Sequence, residues 1–139
     1  MIKVVKFGGS SLANADQFRK VKDIIKSDAD RRFVVPSAPG KRFSADTKVT
    51  DMLYACYNLA ESDSDFDDAL KAISDRYSEI INGLGLNLTL AAEFDQIRKD
   101  FAAHAGVEYA ASRGEYLNGI VLAAYLGFEP ECAAAEHLN

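Results

Sequence analysis

Hydrophobic and polar positions in the first forty residues follow first the period of a strand, then that of a helix, then that of a strand again. Residues 2–7, IKVVKF, are short, rich in β-branched side chains and followed by two glycines, which is typical of a β-strand. Between residues 14 and 27 the apolar side chains recur at helical spacing, and residues 32–37 again have the pattern of a strand. This order predicts a βαβ unit with two parallel strands.

The rest of the chain is predicted to be mostly helical. Apolar side chains at helical spacing predict helices over residues 47–61, 65–82, 88–105 and 107–126. Gly83 and Gly85 are expected to end the second of these helices. Residues 128–133 have the pattern of a third strand. The predicted fold class is therefore α/β, with a helical excursion between the second and third strands.

Composition and charge narrow the classes of function. Hydrophobic residues make up 48% of the chain, which favours a folded domain. Sixteen basic and 21 acidic residues give a net charge of −5, which argues against non-specific binding of nucleic acid. No apolar run approaches the roughly 18 residues of a membrane helix, so we expect no membrane partner.

The two cysteines give no sign of a disulfide or a metal site. Cys56 and Cys132 are far apart in sequence, and neither belongs to a CxxC motif or a trusted ligand spacing with histidine. Cys56 falls on the apolar face of a predicted helix, which favours a small buried thiol. We therefore predict no metal ligands in the chain and a reducing, cytoplasmic location.

The segment that follows the first predicted strand is the first candidate for chemistry. Glycines after a strand let the backbone turn sharply and approach a ligand, and a helix after them offers N–H groups to an anion. Lys6 lies near the carboxyl end of the strand, where ligands bind in open α/β sheets. The segment is neither a Walker A loop nor GxGxxG. A phosphate site and a plain turn with Lys6 solvated at a sheet edge both fit this pattern.

Four segments together resemble one known family. KFGGSSL at residues 6–12 resembles the opening motif of the aspartokinases, which are members of the amino acid kinase family. VVPSAPGKR at 34–42 resembles the family's second motif, and VTDML at 49–53 resembles the helix start that follows it. SRGEYL at 112–117 resembles its S-x-G-E motif. The segments occur in family order, and the resemblance implies the parallel three-layer sheet of the amino acid kinases.

The resemblance implies a phosphotransferase that moves the γ-phosphate of ATP to the β-carboxylate of L-aspartate, the first step towards lysine, threonine and methionine. It gives Lys6 the catalytic role of stabilising the transferring phosphoryl group. The residues it assigns to the phosphates of ATP are Lys6, Phe7, Gly8, Gly9 and Ser10. Mg²⁺ is expected from the chemistry of ATP, with no protein ligands identified.

By the same resemblance, Ser37, Thr50 and Glu115 bind the amino acid substrate. Glu115 would accept hydrogen bonds from the α-ammonium group. Each residue also has a purely structural interpretation: Ser37 caps or fills a turn, Thr50 is an N-cap, and Glu115 is a solvated charge. Thr47 remains an alternative to Thr50, because the loop between the second strand and the next helix is longer than in some family members.

Nearby charges and a proline complicate this assignment. Lys41, Arg42 and Lys48 either help to hold the phosphates of ATP or lie in a solvated loop. Pro36 stands where the family usually has a small or aliphatic residue, and it predicts a strand end that is locally unpaired or bent.

The resemblance also sets expectations for the extent of the chain. We expect residues 1–139 to be the N-terminal portion of a kinase domain, without a regulatory ACT domain, and to show little kinase activity alone. Homo-oligomerisation is expected, because an unfinished sheet leaves an unpaired edge. The alternatives are a non-catalytic binding module with the same fold and a kinase for a different amino acid.

Overall fold

The computed structural model describes residues 1–127, which contain a βαβ unit followed by four more α-helices. Strand β1 spans Lys3–Phe7, helix α1 spans Ala15–Lys26 and strand β2 spans Arg31–Pro36. The two strands pair in parallel. The predicted βαβ unit is confirmed, with boundaries within one residue of the sequence pattern.

The two faces of the β1–β2 pair differ in burial. Val5 lies opposite Val34 and Phe7 opposite Pro36, and this inner face joins the hydrophobic core. Val4 points to the other face and is 66% exposed. Because strand residues alternate between faces, the core of the described chain lies on the inner side of the pair.

A short 3₁₀ helix, Gly9–Leu12, links β1 to α1. Leu12 is fully buried and fixes this turn against the core. Asn14 then caps α1, since its side-chain oxygen accepts a hydrogen bond from the Gln17 N–H at 3.0 Å. The α-helix therefore begins six residues after the Gly8-Gly9 pair ends the strand region, and not directly at the glycines.

The four later helices all fall where apolar spacing predicts them. They are α2 (Val49–Glu61), α3 (Asp67–Gly83), α4 (Ala91–Ala102) and α5 (Val107–Leu126). Gly83 is still helical, and the chain leaves α3 through Gly85, whose φ is +67°. Helix α4 is three residues shorter at each end than predicted. At its C-terminal side, His104 adopts a φ of +59°, which no helix continues.

One hydrophobic cluster joins the helices to the inner face of the strands. Its largest fully buried members include Phe18 of α1, Leu53 of α2, Tyr77 of α3, Phe101 of α4 and Leu117 of α5. Every α-helix thus contributes to the same interior, which makes residues 1–127 one packing unit. The candidate functional segments lie at the carboxyl end of its two strands.

Pro36 does not interrupt the pairing of β2 with β1, contrary to the sequence expectation. Pro36 is the register partner of Phe7, and the following Ser37 N–H donates to the Phe7 carbonyl at 3.0 Å. In a parallel ladder, the backbone groups of Pro36 itself then point away from β1. The missing N–H of proline therefore removes no hydrogen bond from this pair.

The two remaining expectations about the fold concern membrane-spanning helices and a third strand. In residues 1–127, no helix has the length and apolar character needed to cross a membrane. The third strand predicted at residues 128–133 lies outside the described residues.

Cys56 offers a direct test of the packing of α2. Its side chain is fully buried, and burial raises the pKa of the thiol to about 11. In a Cys132→Ser background, we expect a thiol reagent at pH 8 to label Cys56 at least about a hundredfold more slowly in native than in urea-unfolded protein, since labelling requires opening of the structure. Native labelling at the unfolded rate would contradict the buried position.

Candidate functional site

The turn after β1 and the turn after β2 press against each other backbone to backbone. The Gly40 N–H donates to the Gly9 carbonyl at 2.8 Å. A Cβ at position 40 would lie 2.6 Å from the Gly9 carbonyl carbon, and a Cβ at position 9 would lie 2.9 Å from the Ala38 oxygen. Both contacts are with backbone atoms, which cannot rotate away. Glycine is therefore required at both positions by the fold itself.

Gly8 differs from its neighbour. Its φ of −75° and ψ of 171° suit any residue, and a Cβ at this position would meet no described atom within 4 Å. Neither backbone conformation nor packing within residues 1–127 requires a glycine here. The backbone at Gly8 instead faces open space, which leaves room for a ligand to approach it closely.

Lys6 and Ser10 flank Gly8 in the sequence, each two residues away from it. Lys6 is the next-to-last residue of β1, is exposed on the outer face opposite Val35, and makes no ion pair with any residue from 1 to 127. Ser10 is exposed in the 3₁₀ helix. Phe7 is buried in the core, so only its backbone is available to a ligand.

Ser37 continues the strand pairing beyond β2. Its N–H donates to the Phe7 carbonyl, and its own carbonyl accepts a hydrogen bond from Asn118 Nδ2 at 2.7 Å. Its hydroxyl makes no hydrogen bond within the described chain, so the capping interpretation finds no support there. Ser37 comes two residues after Val35, the register partner of Lys6. The two candidate residues therefore follow neighbouring strands to the same edge.

Thr50 is the second residue of α2 and is partly buried. The Val49 N–H donates to the Pro39 carbonyl at 3.0 Å, which docks the start of α2 onto the turn after β2. The N-cap position is Lys48, and no side chain caps this helix. The N-cap interpretation of Thr50 is therefore wrong. The alternative residue, Thr47, is exposed in the loop before the helix.

Glu115 is exposed on α5, directly after the residue at which that helix meets the turn after β2. At that residue, Gly114, a Cβ would lie 2.6 Å from the Ala38 Cβ. The Gly114 carbonyl also accepts a hydrogen bond from the Tyr77 hydroxyl at 2.7 Å. Burial raises the pKa of Tyr77 well above its usual value, so this hydroxyl remains a donor.

Residues 37–40 therefore form a junction that touches all the other candidate segments. Ser37 and Gly40 bind the backbone of the first motif, Pro39 binds the start of α2, and Ala38 packs against α5. The structure thus brings the four motifs to one place, at the carboxyl end of β1 and β2. This is the edge at which ligands bind in open parallel sheets.

Of the three basic residues in the loop after β2, Arg42 alone has a side-chain partner among residues 1–127. Arg42 donates through Nε and Nη2 to the two carboxylate oxygens of Asp46, at 2.7 and 3.0 Å, and through Nη1 to Glu79. A guanidinium held in this fork is already occupied. Lys41 and Lys48 are exposed.

Two buried polar residues at the site were missed in the sequence. Arg76 of α3 donates to the carbonyls of Thr47 and Gly40, at 2.8 and 2.7 Å, and Asn118 of α5 holds Ser37. A signal was present for Arg76: it follows Ile73 by three residues and so lies on the apolar face of α3. A charged residue at a core position indicates a specific partner, but the pattern does not name it.

The carboxyl group of Asp46 has a strongly lowered pKa. The hydrogen bond from Arg42 holds the pKa of this carboxyl well below its usual range, and the charge of Arg76, 3.6 Å away, adds to the effect against the cost of burial. Burial lowers the pKa of Arg76, yet arginine stays charged at neutral pH. No group of three or more potential metal ligands occurs among residues 1–127.

Fold and site together define an α/β protein with a candidate anion- and substrate-binding edge at the ends of two parallel strands. Residues 1–136 match the model of the amino acid kinase family. The chain belongs to this family.

Aspartate kinases are among the proteins to which this chain is similar. Aspartokinase 3 of Bacillus subtilis is 38% identical over 147 residues, which covers 99% of this chain and 31% of that protein. The crystal structure of Clostridium acetobutylicum aspartate kinase matches with a TM-score of 0.86 and 51% identity, over 89% of this chain and 29% of that one. E. coli aspartokinase III in complex with aspartate and ADP matches with a TM-score of 0.70 and 26% identity, over 91% and 29%. The chain thus spans less than a third of each of these relatives.

The three glycines give a matched prediction. Gly9→Ala and Gly40→Ala should each lower the free energy of unfolding by roughly 1–3 kcal/mol, because the new methyl group is forced against backbone atoms. Gly8→Ala should change it by less than about 0.5 kcal/mol, as at other open surface positions. Urea unfolding of the three variants measures this difference. Equal losses in all three would contradict the close contact between the two turns.

Asp46 predicts a specific acid sensitivity. Its folded-state pKa lies below the unfolded value of about 3.9, so its stabilising contribution is complete above that pH and is lost as the pH falls towards the folded value. Asp46→Asn should therefore be less stable than wild type at pH 7. Between about pH 4 and pH 2 its unfolding free energy should fall less steeply than that of wild type. Parallel profiles in urea unfolding across this range would count against the ion pair.

Proposed function

We propose that this chain supplies the phosphate loop and part of the amino acid site of an aspartate kinase. The observation that carries the proposal is the convergence of four family motifs on residues 37–40, beside a glycine that no described contact requires. The reaction is attack of a β-carboxylate oxygen of L-aspartate on the γ-phosphorus of ATP. The bond from that phosphorus to the bridging oxygen breaks, and ADP and β-aspartyl phosphate are released. The carboxylate nucleophile carries no proton, so no general base is needed.

Lys6 is proposed as the catalytic residue. Two anions must approach each other in this reaction, and an exposed ammonium group without a described ion-pair partner is free to stabilise the transferring phosphoryl group. Gly8, Gly9 and Ser10, with the backbone of Phe7, are proposed to line the phosphates of ATP. The open space at Gly8 supports this assignment, because a phosphate needs close access to the backbone.

Ser37, Thr50 and Glu115 are proposed to bind aspartate. Hydroxyl donors of Ser37 and Thr50 suit a carboxylate, and the Glu115 carboxylate suits the α-ammonium group. Thr50 is preferred to Thr47, since α2 is docked on the junction next to it while Thr47 lies in the preceding loop. The complex of E. coli aspartokinase III with aspartate and ADP supports both ligand classes by similarity.

Further parts of the proposal rest on the family and on chemistry. Mg²⁺ would enter bound to the phosphates of ATP, since this ion commonly binds through substrate phosphates and water. Residues 1–139 are proposed to be the N-terminal portion of the catalytic domain. The protein is proposed to act in the cytoplasm and to form a homo-oligomer.

A hydroxamate assay tests the activity. The chain is assayed alone and in a chimaera that joins it to the remainder of B. subtilis aspartokinase 3 in place of the matching segment. Hydroxylamine converts an acyl phosphate to a hydroxamate, so aspartyl hydroxamate should form only with both aspartate and MgATP. We expect product from the chimaera and little from the chain alone. A folded chimaera that forms no product, or prefers another amino acid, would overturn the assignment.

Lys6→Met should reduce the rate of hydroxamate formation by at least about a hundredfold, the usual loss when one group that stabilises a developing charge is removed. Because Lys6 is exposed, the melting temperature of the Lys6→Met variant should equal that of wild type. The matched control is Lys20→Met, an exposed lysine on α1, which should retain full activity. Equal activity of the two variants would exclude the catalytic role.

A further inference from the structure

Two adjacent side chains of helix α3 contact the two segments that carry the candidate amino acid site, the loop before Thr50 and the part of α5 beside Glu115. The first is Arg76, which is only 5% exposed. Its Nη2 binds the Gly40 carbonyl and its Nη1 binds the Thr47 carbonyl. These carbonyls lie at the two ends of the loop between β2 and α2. One planar guanidinium therefore fixes the beginning and the end of this loop with a single rigid fork.

An ion network fastens the same loop to α3 a second time. Asp46, within the loop, has a side chain that is 9% exposed, and it lies 3.6 Å from Arg76 and 2.7 Å from Arg42. Arg42 also reaches Glu79, one helical turn after Arg76, at 2.9 Å. The loop that leads into Thr50 is thus tied to α3 through both its backbone and its charges.

The next residue of α3, Tyr77, reaches the other side. It is fully buried, and its hydroxyl donates to the Gly114 carbonyl on α5. Gly114 directly precedes Glu115 and is the point at which α5 packs against Ala38. Consecutive residues of one helix therefore hold the segment that carries Thr50 and the segment that carries Glu115.

Stability alone does not account for Arg76. Burying a guanidinium costs desolvation, and a whole buried ion pair is often no more stabilising than well-packed apolar side chains of similar volume. What an apolar residue does not supply is a pair of fixed donors for two loop carbonyls. The arrangement therefore favours a role in loop geometry.

We propose that Arg76 and Tyr77 are positioning residues for the amino acid site, which set the placement of Thr50 relative to Glu115. This inference rests on the proposed function. The phosphate loop is held by main-chain hydrogen bonds that do not involve α3, from Ser37 to Phe7, from Gly40 to Gly9 and from Ser11 to Gly8. Loss of the α3 contacts should therefore affect aspartate more than ATP.

The variants are chosen so that folding and positioning separate. Arg76→Met keeps the volume of the stem and leaves Asp46 paired with Arg42, Arg76→Lys keeps the charge without the fork, and Tyr77→Phe removes one hydroxyl. The matched control is Lys71→Met, which breaks an exposed ion pair with Asp75 on the same helix. Amide exchange of residues 40–48 is measured in the 139-residue chain. The KM values for aspartate and for ATP are measured in the protein that forms aspartyl hydroxamate, either the chain alone or the chimaera.

We expect Arg76→Met to speed amide exchange in residues 40–48 and to raise KM for aspartate about tenfold, since only the fraction of molecules with an ordered loop binds well. KM for ATP should stay within about twofold. The melting temperature should fall, because the carbonyls of Gly40 and Thr47 lose their donor, so the comparison of the two KM values is the decisive readout. Arg76→Lys should recover part of the loss. Tyr77→Phe should raise KM for aspartate by a smaller factor, and the control should match wild type.

Two results would overturn the inference. One is an unchanged KM for aspartate in Arg76→Met. The other is a parallel rise in KM for both substrates, which indicates a general structural role. Failure of the proposed function itself would be seen separately, as absence of aspartate-dependent product from the wild-type sequence.

Discussion

The contact between the Gly9 and Gly40 backbones is the constraint on which the site depends. It joins the turns after the two strands at a distance that no side chain tolerates, and residues 37–40 then serve as the surface on which α2 and α5 dock. The hydrogen bond from Ser37 to Phe7 holds the ends of the two strands together but leaves the turns beyond them free to separate. The hydrogen bond from Gly40 to Gly9 fixes these turns, so the arrangement of the first two motifs comes from main-chain contacts.

A second layer of order comes from the helical excursion. Helix α3 lies outside the βαβ unit and carries none of the four motifs. Its residues Arg76 and Tyr77 nevertheless bind backbone carbonyls on both sides of the junction. Short loops between strand and helix are normally ordered by their own turns. The loop from Lys41 to Lys48 has little regular structure of its own, and a buried guanidinium supplies the missing backbone partners.

The sequence pattern predicts the strands and helices well, because each has an apolar face with a clear period, as in α1 and α3. The gathering of the motifs follows from the parallel βαβ rule and from the family resemblance. The partners of Arg76 and Asn118 were not predictable, because each depends on which carbonyl the tertiary fold brings near. Pro36 shows the same limit: whether its missing N–H matters depends on which side of the strand faces β1.

Under the proposed function, the two neighbouring glycines of the first turn meet different requirements, Gly9 that of the fold and Gly8 that of the ligand. A change at Gly9 damages the folded chain itself, whereas a change at Gly8 leaves every described contact intact. A gene copy that had lost its need to bind a nucleotide, but still had to fold, would keep the second glycine and be free to replace the first. The residue at position 8 would then distinguish an active enzyme from an inactive paralogue that keeps only the fold.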